Sequence, residues 1–150
     1  MRGAQLGADS SRSVEPAWEI AIAIRTEADV VNARQAGREL AATIGFNRTD
    51  QALIATAISE LARNILNYAG SGEVRFNHRS TKGHDGIEVV AEDNGPGIAN
   101  LEDAMRDGFT TSGGLGLGLP GTKRLMDQFH VETGASGTTI TATKFRLSDG

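Results

Sequence analysis

The sequence predicts an α+β fold: a two-layer α/β sandwich in which a mixed, mostly antiparallel sheet is covered by helices on one face. Three observations carry that expectation. The Ile-rich run from Trp18 to Arg25 has the period of two of a half-buried strand. Between Glu27 and Asn67 the apolar residues instead return at helical spacing. Further on, strand-like runs come in pairs joined by polar turns, which favours antiparallel neighbours.

Taken in order, residues 1–16 are small and polar with no period, so they are expected to form a disordered tail ahead of a domain over residues 17–150. After the opening strand, a helix is predicted from Glu27 to about Ile44, with Val30, Val31, Ala33, Leu40 and Ala41 as its buried stripe and Gly45 as its stop. Asn47 is placed to cap the next helix, with Asp50 in the first turn, where a negative charge meets the positive end of the dipole. Gly70-Ser71-Gly72 ends that helix. Glu73 to Asn77 and Ile87 to Ala91 read as strands joined by the polar turn Thr81 to Gly86. A short helix around Leu101 to Met105 follows, then a loop from Asp107 to Gly118. Pro120 sits near the first position of a helix running to about Phe129, and strands at about His130 to Thr133 and Thr138 to Leu147 close the domain.

Composition narrows the function classes. A net charge of −4 offers no basic surface for nucleic acid. No apolar run approaches the roughly 20 residues that span a bilayer, and the first residues lack the apolar core of a secretion signal. The chain has no cysteine, which removes disulfides and thiolate metal sites and fits a cytoplasmic setting. His78, His84 and His130 are not spaced as metal ligands. Glycine is the outlier: nineteen glycines against three prolines, clustered at Gly95 to Gly97 and from Gly113 to Gly121. Leucines, not serines, surround the second cluster, which points to a built loop.

Three constellations carry chemistry. Gly116-x-Gly118-x-x-Gly121 formally matches a dinucleotide fingerprint, but Phe109 to Ser112 before it reads as loop where the fingerprint needs a strand. A P-loop is excluded because no Gly-Lys-Ser/Thr follows. What survives is a backbone able to turn its N–H groups toward an anion just before a helix, with a plain flexible loop as the equal alternative. In Asp93-x-Gly95-x-Gly97, a strand-end carboxylate followed by a sharp turn can accept a hydrogen bond from an exocyclic amine such as that of adenine; a ligand-free Asp-Gly turn is the plainer reading. Glu60 and Asn64 stack one helical turn apart on the flank of the face formed by Ile54, Ala57, Ile58, Leu61 and Ile65, so both can look into a cleft, and Asn67 continues the stripe.

In this order and spacing the three constellations resemble the Bergerat-fold (GHKL) ATP-binding superfamily of gyrases, Hsp90-type chaperones, histidine kinases and MutL proteins. Within it, the chain is most similar to small bacterial serine/threonine kinases of the anti-sigma and stressosome-switch type, RsbT-like. The resemblance spans roughly Trp18 to Leu147 and is most specific from Asp107 through Thr110-Thr-Ser-Gly-Gly-Leu-Gly-Leu-Gly-Leu-Pro-Gly-Thr-Lys-Arg-Leu-Met to Asp127. It implies ATP and Mg2+ as cofactors. Glu60 would act on the incoming hydroxyl, and Asn64 would coordinate the magnesium. Asp93 would bind the adenine amino group, with Gly95 and Gly97 shaping its pocket and Thr138 holding the adenine edge. Gly114, Gly116 and Gly118 would cradle the phosphates. Lys123 and Arg124 would add positive charge nearby, although a solvated face explains them as well.

By resemblance, the expected function is phosphorylation of a serine or threonine on a STAS-domain partner in a bacterial partner-switching pathway. The chain has no room for the helical phosphoacceptor domain of a histidine kinase, so it is expected to act alone on another protein. The alternative is a binding module that sequesters a sigma factor or a PP2C-type phosphatase with ATP shaping its surface. A third reading, a dinucleotide-dependent enzyme, rests on the glycine fingerprint alone.

Overall fold

The computed structural model describes residues 20–106 and 118–147. Their elements run β1 (Ile20–Ile24), α1 (Glu27–Ile44), α2 (Arg48–Tyr68), β2 (Gly72–Thr81), β3 (His84–Asp93), α3 (Leu101–Ala104), α4 (Gly118–Leu125), β4 (Gln128–Gly134) and β5 (Gly137–Phe145). The five strands form one sheet in the order β1-β2-β3-β5-β4. Every pairing among the described residues is antiparallel, so the expected antiparallel majority is the whole of the described sheet.

Register explains how the sheet splits into two faces. Val74 lies opposite Ala91 and Phe76 opposite Val89, while Ala91 and Val89 in turn face Ile140 and Ala142 on β5. Residues directly opposite share a face, so these apolar side chains form one surface. That surface is buried under α1 and α2, which contribute Val30, Ala33, Leu40 and Ala41, then Ile54, Ala57, Ile58, Leu61, Ala62 and Ile65. The alternate residues make a charged outer face, where Arg75 Nη1 reaches Glu92 Oε1 at 2.9 Å and Glu73 Oε1 at 3.1 Å. Those two carboxylates hold the Arg75 guanidinium above its ordinary pKa.

Local sequence sets the helix ends. Thr26 caps α1 in a reciprocal box with Asp29, and Gly45 closes it in the left-handed region at φ 114°. Asn47 Oδ1 accepts from the Asp50 N–H at 2.8 Å, the cap expected for α2. Gly37 lets α1 settle onto α2: a Cβ there would lie 2.1 Å from Ile58 Cδ1 and 3.2 Å from Phe76 Cε1.

Several boundaries differ from expectation. Val31 is 43% exposed and does not belong to the buried stripe, because its neighbour Val30 already points into the core. The β2–β3 turn is only Lys82-Gly83, with φ of 51° and 83°. Two successive positive φ values match the right-handed twist of a hairpin, so pairing runs past the predicted Thr81 to Gly86 turn. The helix expected to reach Phe129 stops at Leu125, and Phe129 instead lies in β4 opposite Ala142. Pro120 is the third residue of α4, where its missing N–H still costs no intrahelical bond. The predicted tail, Trp18 and most of the Asp107 to Gly118 loop lie outside the described residues.

Candidate functional site

At one end of the sheet, register places Ile24, Gly72, Asp93, Thr138 and Thr133 in a single row across all five strands. They share the face that carries the core, but here the row turns polar. Asp93, the last residue of β3, is 7% exposed, and its Oδ1 accepts from the Gly95 N–H at 2.9 Å. Among the described residues Oδ2 has no hydrogen-bond partner, which leaves it able to accept from a ligand. Directly opposite on β5, buried Thr138 contacts Thr133 of β4, hydroxyl to hydroxyl, at 2.7 Å.

The segment after β3 is fastened over this row. The Ile98 N–H donates to Thr133 Oγ1 at 2.8 Å, tying the turn to the β4–β5 end. Gly97 makes the turn possible. Its φ is 87°, and a Cβ built on it would lie 2.2 Å from the Gly134 carbonyl oxygen and 3.0 Å from Thr133 Oγ1. Gly95 meets the end of α2, where a Cβ would come within 2.5 Å of Ala69 Cβ. Ile65 presses on the same row, lying 2.8 Å from where a Cβ of Gly72 would be. The C-terminal turns of α2 therefore pack against the Asp93 end of the row.

Glu60 and Asn64 stand on this helix, about two turns and one turn before Ala69. The Glu60 side chain is 13% exposed. Its Oε1 accepts from the backbone N–H of Gly118, the first residue of α4, at 3.4 Å, and its Oε2 lies 3.6 Å from Arg63 Nη1. A carboxylate at a helix start sits at the positive end of the dipole. Gly118 itself has φ 69°, so the chain enters α4 in the left-handed region. Asn64 is half-buried and presents a neutral amide oxygen. No group of three or more His, Asp or Glu among the described residues is arranged to hold a metal. Mg2+ is commonly held by one or two protein oxygens with water and substrate phosphates, and the Asn64 amide oxygen could supply one of them.

Of the expected residues, Asp93 and Thr138 face each other in the row, Gly95 and Gly97 lie in the turn after β3, and Glu60 meets Gly118. Gly113, Gly114 and Gly116 lie outside the described residues. Lys123 and Arg124 occupy the exposed last turn of α4. Thr133 and Arg63 were not anticipated. Thr133 was read only as the end of a strand, and the pairing register is what places it beside Thr138.

Comparison with known proteins gives this architecture its class. Residues 24–144 match the family described as histidine kinase-like ATPase domain, and the chain belongs to that family. Among curated relatives, the serine/threonine-protein kinase RsbT of Bacillus subtilis (strain 168) is 53% identical over 125 residues, covering 83% of this chain and 94% of that protein. The RsbU and RsbW domains of Rv1364c from Mycobacterium tuberculosis superpose with a TM-score of 0.61 at 22% identity, covering 89% of this chain but only 34% of that one. The mycobacterial sensor histidine kinase MprB gives a TM-score of 0.50 at 18% identity over 87% of this chain and all (100%) of that one. These two structural likenesses establish the shared fold alone.

Proposed function

We propose that this chain is an ATP-dependent serine/threonine protein kinase of a bacterial partner-switching pathway, acting in the cytoplasm on a STAS-domain protein. The observation that carries the reading is the Glu60 carboxylate, largely buried yet aimed at the start of α4, one turn from Asn64. The 53% identity to a serine/threonine-protein kinase over most of both chains supports the same reaction.

In this reading Asp93 Oδ2 accepts from the adenine amino group while Oδ1 keeps the Gly95 N–H, so base binding does not disturb the turn. The Thr138 hydroxyl, held by Thr133, lies next to Asp93 across the strand pair and positions the adenine edge. Magnesium, held by Asn64, supplies neutralisation of phosphate charge when bound. The hydroxyl oxygen of the acceptor Ser or Thr attacks the γ-phosphorus, and the bond to the β,γ-bridging oxygen breaks. ADP leaves, and the hydroxyl proton passes to the Glu60 carboxylate or to solvent oriented by it. Phosphoryl transfer rests on positioning and charge stabilisation, which is what these few groups supply.

The test is transfer of labelled γ-phosphate from Mg-ATP to a purified STAS-domain protein of the same organism. Labelling by wild type and none by Glu60→Ala is the expected result. Equal silence of both would sink the kinase reading. Retention of a sigma factor or PP2C-type phosphatase by an ATP-loaded but inactive chain would favour sequestration instead.

A further inference from the structure

We infer that Arg63 is a positioning residue for Glu60, fixing the carboxylate that acts on the acceptor hydroxyl. This rests on the kinase reading of Glu60. Arg63 lies on α2 between Glu60 and Asn64, one turn after the first, and its guanidinium spans two carboxylates. Nη1 is 3.6 Å from Glu60 Oε2, and Nε is 3.7 Å from Glu27 Oε1 at the start of α1. The Gly118 N–H meets the other Glu60 oxygen, Oε1, at 3.4 Å. A single line of contacts thus runs from α1 through Arg63 and Glu60 to α4.

The consequence is geometric. Glu side chains have three soft torsions, and a base must hold its oxygen within hydrogen-bond reach of the proton it takes. With Oε1 on the Gly118 amide and Oε2 toward Arg63, both ends of the carboxylate are directed. Glu27 in turn keeps the guanidinium from swinging away. Glu60 is 13% exposed and Arg63 is 45% exposed, so this pair joins a nearly buried carboxylate to a cation at the rim. A guanidinium presents its donors in a fixed planar fork, while a lysine would keep the charge on a more flexible stem. An ordinary surface ion pair between α1 and α2 would contribute to stability and leave the chemical step alone.

Steady-state phosphotransfer from Mg-ATP to the purified STAS-domain acceptor separates these roles. Arg63→Met keeps length and removes charge. We expect it to lower kcat about tenfold with the KM for ATP unchanged, as expected when a reacting group is misplaced rather than a ligand lost. Arg63→Lys should recover a substantial part of kcat, and circular dichroism should show both variants folded. Unchanged kcat in Arg63→Met would overturn the inference. So would a loss expressed only in the KM for ATP, or a Lys variant no better than Met. Normal transfer by Glu60→Ala would instead overturn the kinase role of Glu60 and this inference with it.

Discussion

Gly97→Ala should damage stability and nucleotide binding together, and the size of the effect follows from two separate clashes. The backbone at Gly97 has φ 87°, and the left-handed region costs an L-residue roughly 1–2 kcal/mol. The new methyl would also sit 2.2 Å from the Gly134 carbonyl oxygen, a backbone atom pinned in the β4–β5 hairpin, and 3.0 Å from Thr133 Oγ1. Forcing one methyl into such a packed place typically costs about 1–3 kcal/mol. The two terms together give a loss of about 2–5 kcal/mol, a large share of the stability of a single domain. Relief requires lifting the turn off β4, which breaks the 2.8 Å bond from the Ile98 N–H to Thr133 Oγ1 and loosens the wall beside Asp93. Urea unfolding followed by circular dichroism, with ATP titration at a temperature where the variant is folded, measures both effects. A stability loss under about 0.5 kcal/mol with unchanged ATP affinity would refute the reasoning about this turn.

Other parts of the fold give independent expectations. Phe76→Ala removes a fully buried ring between the sheet and α1 and should cost about 3–5 kcal/mol in the same unfolding assay. Asn47→Ala removes the acceptor for the Asp50 N–H and should cost about 1 kcal/mol, with amide exchange rising first at the start of α2. Asp29 accepts the Arg25 N–H at 2.8 Å and the Thr26 N–H at 3.0 Å; the Arg25 bond is the largest cause holding its carboxyl below the ordinary 3.8. The unfolded chain therefore binds the proton more tightly. This contribution is present above pH 3.8 and disappears as pH falls through the lower folded value. Asp29→Asn should flatten that part of the acid unfolding curve, and an unchanged slope would show that the box is not formed in solution.

Much of this was legible in the sequence because the signals were local. The Asn47 cap, the Gly45 stop and the α2 face from Ile54 to Ile65 depend on residues a few positions apart, and each is present. Glu60 and Asn64 could be placed on one flank from helical spacing alone. Where distant pairing decides, local reading failed. Lys82-Gly83 forms a tight hairpin only because β2 and β3 continue pairing to Thr81 and His84, which neither run's composition announces. Phe129 reads as the end of a helix by period, yet pairing with Ala142 draws it into an edge strand. Thr133 and Arg63 owe their places to contacts 35 and 36 residues away in sequence, with Ile98 and Glu27, and no periodicity reports such contacts.

The central claim is a division of labour, with Asp93 holding the nucleotide and Glu60 acting on the acceptor. Calorimetric titration of Mg-ATP into wild type, Asp93→Asn and Glu60→Ala tests it most directly. In Asp93→Asn the amide oxygen can still accept the Gly95 N–H, but the charged acceptor for the adenine amine is lost. A hydrogen bond to a charged group is worth about 1.5–3 kcal/mol, so ATP should bind roughly 10- to 150-fold more weakly. Glu60→Ala should bind Mg-ATP like wild type while losing transfer. Normal Mg-ATP binding by Asp93→Asn, matching both wild type and Glu60→Ala, would contradict the account.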